Sequence, residues 1–341
     1  MESLPKRLYR HRGFRWSVRL GLPLLLLAGL YSCMIGMPGT SHSGPLPPLT
    51  PEQAALSASL RRDVTELAST IGVRNWQRHA KLERAADFVG NRLKEAGHTV
   101  ARQTFLIDQT PFHNLEVEIR GASKPEEIVV VGGHYDSVMG CPGANDNATG
   151  AAGVIALAAA FAKEKPARTL RFVAFTNEEP PHYRTHEMGS VVYAGRCRER
   201  KENVVAMLSL ETMGCYSDAK GSQSYPAPLS LLYPSTGNFI AFVGNVSSRG
   251  LVRKSIRTFR DHARFPSEGA ALPGWLPGIG WSDHWSFWEQ GYDAIMVTDT
   301  APFRYAHYHT VQDTVDKVDF DRLARVVEGL VPVVRSLADP K

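Results

Sequence analysis

The chain has 341 residues, of which 43% are hydrophobic and 21% are charged, as is usual for a globular protein that can bury a sizeable core. Its formal net charge of +5 is concentrated at the amino terminus, because residues 1–19 carry six lysine or arginine side chains and a single acid, which together give +5. The remainder is formally neutral, so no basic face is expected and nucleic acid is excluded as a partner.

An uncharged apolar run follows this basic head, and residues 20–38 are predicted to form a signal anchor that tethers the protein to a membrane. Basic residues before the run and no charge after it until Glu52 predict a cytoplasmic head and an extracytoplasmic domain, periplasmic or extracellular. A cleaved signal peptide is one alternative, and a lipoprotein signal is another because residues 30–33 resemble a lipobox. Residues 39–51, rich in Pro and Ser, are interpreted as a linker to one domain over 52–341.

Beyond the linker, the hydrophobic pattern first predicts two charged helices and two half-exposed strands, over Leu56–Ile71, Leu82–Ala96, Thr99–Ile107 and Asn114–Ile119. Strands and helices then alternate over Ile128–Val131, Asn147–Glu164, Thr169–Phe175, Glu187–Lys201 and Val204–Leu210. This alternation is typical of a mainly parallel sheet with helices on both faces, which places the chain in the α/β class.

The last third of the chain is less regular. It is predicted to contain a surface loop, a helix, a Gly- and Pro-rich loop, a buried strand and an amphipathic helix, over Cys215–Asn238, Phe239–His262, Pro266–Asp283, Ala294–Thr298 and Phe320–Leu337. The two loops are interpreted either as lids or as segments packed on the domain. The cysteines outside the apolar run, Cys141, Cys197 and Cys215, allow at most one disulfide and lack the CxxC spacing of a cysteine-based metal site.

Polar residues that can bind a metal follow the buried strands at the points where the strands end. In chain order they are His134, Asp146, Glu178, Glu179, Glu211 and His309. The carboxyl ends of parallel strands meet at one edge of a sheet, so these side chains are expected to converge in a crevice there. Imidazoles and carboxylates without thiolates favour zinc or a similar divalent ion, and their number suits two ions that share a carboxylate.

Two pairs of near neighbours are expected to divide their roles. His134 and Asp136 share a face of an extended backbone, so one can bind the metal while the other orients it. Adjacent residues on such a backbone point in opposite directions, so one of Glu178 and Glu179 can bind metal while the other acts as a base. A polar turn that caps the next helix is the simpler explanation for any one of these motifs.

Six motifs in the order GGHYDSV, GANDNATG, TNEEP, SLETMG, SDHWSF and YHTVQDT resemble the zinc aminopeptidases of metallopeptidase family twenty-eight. That family also includes carboxypeptidases and glutaminyl cyclases. The resemblance covers residues ~127–315. It implies a phosphorylase/hydrolase-like three-layer αβα sandwich with a mixed, mainly parallel sheet, and two zinc ions per chain.

The resemblance also implies a ligand set. His134, Asp146 and Glu211 would hold one zinc, and Asp146, Glu179 and His309 would hold the other, with Asp146 as the bridge. In the family the histidine of a His-Thr pair binds metal, which selects His309 over His307.

Glu178 matches the family's general acid/base, and Asp136 matches the acid that orients the first histidine. Two departures from the pattern bear on the site. Many members have Asp at the position of Glu211, and the loop over residues 180–187 lacks the commoner run of small residues, so the rim of the pocket is expected to differ.

The function expected from the resemblance is that of an aminopeptidase, which uses water activated by two zinc ions to remove residues from peptides with a free amino terminus. Asp283, His284, Arg304 and Tyr305 are predicted to contact the substrate, and an aromatic rim suits a hydrophobic first residue. A carboxypeptidase would need a cation for the terminal carboxylate, for which Arg184 and Arg304 are the candidates.

A glutaminyl cyclase or a small-amide hydrolase on the same fold is a further alternative. A non-catalytic, receptor-like ectodomain is the alternative from another class, and the complete set of ligands and base speaks against it. The sequence leaves the oligomeric state open.

Overall fold

The computed structural model describes Gly29 and residues 34–340. Within these residues, eight strands form one sheet in the order β1-β2-β4-β3-β5-β8-β6-β7. The strands are β1 (Val100–Ile107), β2 (Thr110–Ile119), β3 (Lys124–His134), β4 (Arg168–Phe175), β5 (Asn203–Glu211), β6 (Ile240–Gly244), β7 (Ser267–Ala271) and β8 (Ala294–Thr298). The helices are α1 (Pro51–Thr65), α2 (His79–Glu95), α3 (Thr149–Phe161), α4 (Gly189–Glu199), α5 (Arg249–His262), α6 (His284–Glu289) and α7 (Phe320–Ala338).

The four central strands, β4, β3, β5 and β8, run parallel to one another. The hairpin of β1 and β2 adds antiparallel strands at one edge, and β6 and β7 extend the other edge with β6 antiparallel to β8. Helices cover both faces of this sheet. The predicted α/β architecture with a mixed, mainly parallel sheet is therefore confirmed, and the carboxyl ends of the central strands lie along one edge.

The larger hydrophobic core lies between the sheet and helices α1, α2, α3, α5 and α7, and a smaller one lies beneath α4 and α6. Helix α3 lies very close to the sheet because its residues are small. A Cβ atom on Gly150 would come within 2.3 Å of the carbonyl oxygen of Leu210 in β5, so only glycine fits at that position. This close approach fixes the start of α3, and with it the preceding loop, against the strand ends.

Two strands were not predicted. Strand β6 lies inside the predicted helix Phe239–His262, whose helical part begins only at Arg249. Strand β7 lies inside the predicted loop Pro266–Asp283. A buried apolar run of five residues has no period that separates strand from helix, and the small residues of β7 have little strand preference of their own. Parallel pairing of β7 with β6 determines its conformation instead.

The stretch interpreted as a linker is held against the domain. Arg260 of α5 donates to the carbonyl oxygens of Pro38 at 3.1 Å and Gly39 at 3.3 Å, and Arg325 of α7 donates to that of Pro47. The backbone nitrogen of Ser267 donates to Ser41 Oγ at 2.9 Å. Residues 38–47 therefore run along the outside of α5 and α7.

The basic head and the predicted anchor lie outside the described residues, apart from Gly29 and residues 34–38. No helix in the described part of the chain is long and apolar enough to cross a membrane. Cys33 is also outside the described part, and Cys141, Cys197 and Cys215 are free thiols.

Candidate active site

The five predicted metal ligands meet at the carboxyl edge of the central strands. His134 ends β3 and Glu211 ends β5, while Glu179 lies four residues beyond the end of β4. Asp146 lies in the turn that leads into α3, and His309 follows β8. The first four are buried, and the side chain of His309 is 32% exposed. The sheet thus brings together side chains that are up to 175 positions apart in the sequence, as expected where parallel strands end at one edge.

The ligand atoms form two groups that share one carboxylate. In the first, His134 Nε2 lies 3.4 Å from Asp146 Oδ1 and 3.3 Å from Glu211 Oε2. In the second, His309 Nε2 lies 3.0 Å from Asp146 Oδ2 and 3.3 Å from Glu179 Oε2. Within each group all ligand atoms lie within 4.8 Å of one another. Asp146 contributes one oxygen to each group, which is the arrangement that a bridging ligand requires.

Several buried polar atoms at this point make no hydrogen bond within the described residues. They include both ring nitrogens of His134 and Oε1 of Glu179. Buried groups of this kind are costly unless something compensates them, and a cation between the carboxylates would do so. Three carboxylates and two imidazoles match the ligands that zinc takes in proteins. The residues therefore fit two divalent ions.

The pKa values of the carboxylates also indicate a site that suits positive charge. Burial, together with the nearby Glu179 and Glu211, raises the pKa of Glu178 well above its usual range despite the opposing effect of His134. Burial and the neighbouring Asp146 raise the pKa of Glu179 to about 7. For Asp146 burial acts in the same direction, but its contacts with His134 and His309 hold its pKa below the usual value. These carboxylates crowd one another in a buried crevice, and positive charge would relieve the crowding.

Glu178 belongs to neither ligand group. Its Oε2 atom lies 3.9 Å from His134 Nε2, farther than any ligand oxygen, and the residue is buried. Its neighbour Glu179 is the one that faces His309. The structure thus separates the two adjacent acids, although they lie in the loop after β4 and not on the extended strand that the sequence interpretation assumed. Glu178 is left beside the first ligand group with a carboxylate that can move a proton.

Asp136 fixes both the first histidine and the turn that carries the two acids. Its Oδ1 lies 3.3 Å from His134 Nδ1, so it can orient the ring. Its two oxygens also accept hydrogen bonds from the backbone nitrogens of Glu178 and Glu179, each at 3.2 Å. One carboxylate therefore couples the end of β3 to the loop after β4.

Asp313 plays a comparable part for the bridging ligand, and sequence reasoning missed it. Its carboxylate accepts from the backbone nitrogens of Asn145 at 2.8 Å and Asp146 at 3.0 Å. The hydroxyl of Tyr305 donates to it at 2.8 Å. Asp313 lies four residues after His309, so it ties the loop of the last ligand to the loop of Asp146. Its place in the motif YHTVQDT is the signal that could have identified it.

Two further supports lie under the ligands. Ser282 Oγ donates to Glu211 Oε2 at 2.7 Å, and the motif SDHWSF contains that serine. Arg74 is fully buried and donates to the carbonyl oxygens of Tyr135 at 2.6 Å and Gly143 at 2.8 Å, at the two ends of the loop before Asp146. No pattern in the sequence marks this arginine, because its role depends only on where the chain folds back.

Three residues in the left-handed backbone region are ligands of the two groups or neighbours of a residue of the site. They are Asn177 (φ 55°) before Glu178, Thr212 (φ 43°) after Glu211, and His309 itself (φ 57°). Residues other than glycine seldom adopt this conformation, and such backbone strain is often found where a protein aims functional side chains. The strand ends are therefore shaped to present the ligands.

Three of the four predicted substrate contacts need correction, namely His284, Arg304 and Tyr305, while that of Asp283 stays a prediction. His284 is fully buried and its Nε2 bonds the carbonyl oxygen of Ile279 at 2.8 Å, and the hydroxyl of Tyr305 is taken by Asp313. Arg304 points inward and donates to Gln223, Cys215 and Phe239, at 2.7, 3.1 and 2.9 Å. Asp283 is fully buried, and burial raises its pKa to about 7. None of the four lines the pocket beside the ligands.

That pocket adjoins Glu211 and has a cavity volume of about 90 Å³. Its walls are mainly apolar and come largely from the two irregular segments of the last third of the chain and from the loop after β8. The aromatic side chains among them include Tyr225, Tyr233, Phe239, Trp281 and Phe303. The segments that the sequence left as either lids or packed loops thus pack on the domain and form a pocket. None of the described residues that line it is a lysine, an arginine or a histidine.

Residues 114–334 match the model of peptidase family M28. The chain belongs to that family. It is 34% identical over 296 residues to the uncharacterised protein YfbL of Escherichia coli K12, and the aligned region covers 84% of this chain and 90% of that protein. It is also 29% identical over 258 residues to a probable zinc metalloprotease of Leptosphaeria maculans, covering 66% of this chain and 57% of that one, so it spans little more than half of the fungal protein.

Solved structures agree on the fold. A zinc aminopeptidase from Bacillus subtilis matches with a TM-score of 0.66 and 15% identity, over 84% of this chain and 95% of that one. A glutaminyl cyclase from Fimbriiglobus ruber matches with a TM-score of 0.61 and 19% identity, over 86% of this chain and 97% of that one. The predictions of the family, of the fold and of a zinc metallopeptidase are confirmed.

Proposed function

We propose that this M28 peptidase is an aminopeptidase that holds two zinc ions and uses Glu178 as general acid and base. The observation that carries the proposal is the pair of ligand groups joined through Asp146, with Glu178 beside the first group and part of neither. A single zinc would leave one of the two groups, and its buried histidine or carboxylates, without compensation.

When bound, the zinc pair supplies Lewis acidity, which polarises the scissile carbonyl and makes water a better nucleophile. His134, Asp146 and Glu211 would hold one ion, and Asp146, Glu179 and His309 the other. Glu178 accepts a proton from the attacking water and delivers it to the nitrogen of the leaving amine, so it ends each cycle in its starting state.

The surroundings favour a free amine over a free carboxylate at the end of the substrate. Acidic side chains surround the ligand groups, and the lining of the adjoining pocket includes no cation among the described residues. Arg304, one candidate for a carboxylate clamp, is engaged inside the protein. Arg184 is exposed at the rim, where it donates to the carbonyl oxygen of Gly280 at 2.7 Å and lies 4.8 Å from the ring of Trp285.

The direction of attack is tested with one peptide in three forms, with both ends free, with the amino end acetylated and with the carboxyl end amidated. We expect zinc-loaded protein to cleave the free and amidated forms at similar rates and the acetylated form not at all. Cleavage stopped by amidation and unaffected by acetylation would make the protein a carboxypeptidase.

A glutaminyl cyclase is the second candidate, because one of the similar solved structures is such an enzyme. It would convert an amino-terminal glutamine to a cyclic residue and release ammonia without removing the residue. Mass spectrometry of a peptide that begins with Gln separates the two reactions. A loss of 17 Da would indicate cyclisation, whereas loss of the whole residue would indicate aminopeptidase activity.

For location, we propose a domain held outside the cytoplasm by the amino-terminal segment. The basic residues before the apolar run support this orientation. A reporter that is active only outside the cytoplasm, fused after residue 50, should be active, and one that requires the cytoplasm should be silent. The reverse pattern would overturn the proposal.

A further inference from the structure

The floor of the pocket is a row of four paired residues that crosses four adjacent strands. Glu211 of β5 pairs with Thr298 of β8, Thr298 pairs with Ala241 of β6, and Ala241 pairs with Glu268 of β7. Residues paired in this way point to the same face of a sheet, and all four line the pocket. A metal ligand and a second glutamate therefore stand at opposite ends of one straight row.

The two residues between the glutamates are small, so the row forms a trough. Neighbouring strands lie about 4.8 Å apart, which places the backbones of Glu211 and Glu268 about 14 Å from each other. Thr298 and Ala241 fill little of that distance. A substrate held at the ligand groups beside Glu211 can therefore extend its first side chain along the floor towards Glu268.

The side chain of Glu268 has no hydrogen bond or ion pair within the described part of the chain. Burial raises the pKa of its carboxyl group, although the positive charge of Arg260 acts in the opposite direction. The guanidinium of Arg260 is occupied elsewhere, since it donates to the oxygen atoms of Ser267 at 2.7 and 3.1 Å and to the carbonyl of Pro38 at 3.1 Å. A half-buried carboxylate among apolar walls is costly without a partner, and no side chain of the described chain provides one.

We propose that Glu268 binds the cationic end of the substrate's first side chain, so that the enzyme prefers peptides that begin with lysine or arginine. This inference rests on the proposed aminopeptidase function and names the substrate class of the same site. The stem of such a side chain is a run of methylene groups that suits the apolar trough, while its charged head meets the carboxylate.

The walls of the pocket suit the same ligand. Tyr225 and Tyr233 stack with their ring centroids 5.6 Å apart, and both line the pocket together with Glu268. Faces of aromatic rings attract cations as well as methylene groups. A purely hydrophobic first residue would use the walls but leave Glu268 unpaired, so the acid separates the two substrate classes.

The test compares zinc-loaded wild type, Glu268→Gln and, as a matched control, Glu289→Gln, an exposed acid at the end of α6. The substrates are two otherwise identical peptides that begin with lysine or with norleucine, which has the same stem without the ammonium group. We expect kcat/KM of the wild type and of the control to be at least ~10-fold higher for lysine. Glu268→Gln should remove that preference and leave kcat/KM for norleucine within about twofold.

A second measurement does not depend on turnover. Calorimetric binding of lysinamide and norleucinamide to the three proteins should show the same preference, and the same loss in Glu268→Gln. Equal binding of the two amides by wild type, or a preference that survives Glu268→Gln, would overturn the role of Glu268 even in an active aminopeptidase. Selective binding of lysinamide without cleavage of any free peptide would instead overturn the aminopeptidase proposal and support Glu268 as a binding site for the cationic side chain.

Discussion

The metal centre and the pocket beside it are built in different ways, although Glu211 belongs to both. The centre takes its ligands from strand ends, and buried acids such as Asp136 and Asp313 hold those ends through backbone hydrogen bonds. The pocket takes its walls from irregular segments and its floor from β6, β7 and β8. On the proposed function, the catalytic groups lie on the parallel core, and selectivity depends on the edge formed by β6 and β7, where the strands are short and the loops are long.

If this division holds, changes at the ligands should abolish activity whatever the substrate. A chelator should remove all activity and zinc should restore it, with about two ions bound per chain at full loading. His309→Ala should lose one ion and nearly all activity, while His307→Ala, an altered side chain outside both ligand groups, should retain both. Metal analysis alongside activity checks this. Loss of zinc only in His307→Ala would mean that the wrong histidine is assigned.

The next largest effect is expected at Glu178, whose role is proton transfer and not metal binding. Glu178→Gln keeps the shape but removes the proton acceptor, so kcat should fall at least ~100-fold while both zinc ions stay bound. Glu199→Gln, an exposed acid at the end of α4, serves as the control. A variant with normal kcat would remove Glu178 from the mechanism.

The same division explains what the sequence could predict. The convergence of the candidate ligands was predictable because zinc accepts few residue types and parallel strands end at one edge, so His134 and Glu211 were expected to lie close together without knowledge of any contact. Strand β7 was not predictable, because its conformation is set by pairing with β6. The role of Arg74 was not predictable either, because the carbonyl group of Tyr135 to which it donates lies about 60 residues farther along the chain. Arg304 was misassigned, because sequence position does not say which way a side chain points.

Supports of the metal centre should have intermediate effects. Asp313→Asn keeps an acceptor for Tyr305 but removes the charge and one of the oxygens that hold the backbone of Asn145 and Asp146. Zinc affinity should fall roughly 10- to 100-fold, with activity recovered at high zinc concentration. Asp316→Asn, an exposed acid in the same loop, should leave the affinity unchanged. Equal affinities in both variants would mean that Asp313 does not position the bridging ligand.

A substitution on the floor of the pocket should alter substrate selectivity and leave zinc binding unchanged. Ala241→Leu would fill the trough between Glu211 and Glu268, so kcat/KM should fall about tenfold for peptides that begin with a long side chain and much less for those that begin with alanine. Zinc content should equal that of the wild type. A uniform loss for all substrates would show that the trough and the metal centre are not separate, which would break the comparison drawn above.

The smallest effect on catalysis is expected from the two arginines that a carboxypeptidase would need. Arg304→Ala removes hydrogen bonds to Gln223 and to the carbonyl oxygens of Cys215 and Phe239, so it should lower the free energy of unfolding by about 2–4 kcal/mol. Arg184→Ala removes an exposed side chain and should change unfolding by less than about 1 kcal/mol. Neither should change kcat/KM for an amidated peptide more than about threefold. If Arg184→Ala instead abolished cleavage of peptides with a free carboxylate, with normal zinc content and stability, the rim would be a carboxylate clamp and the direction of attack would be reversed.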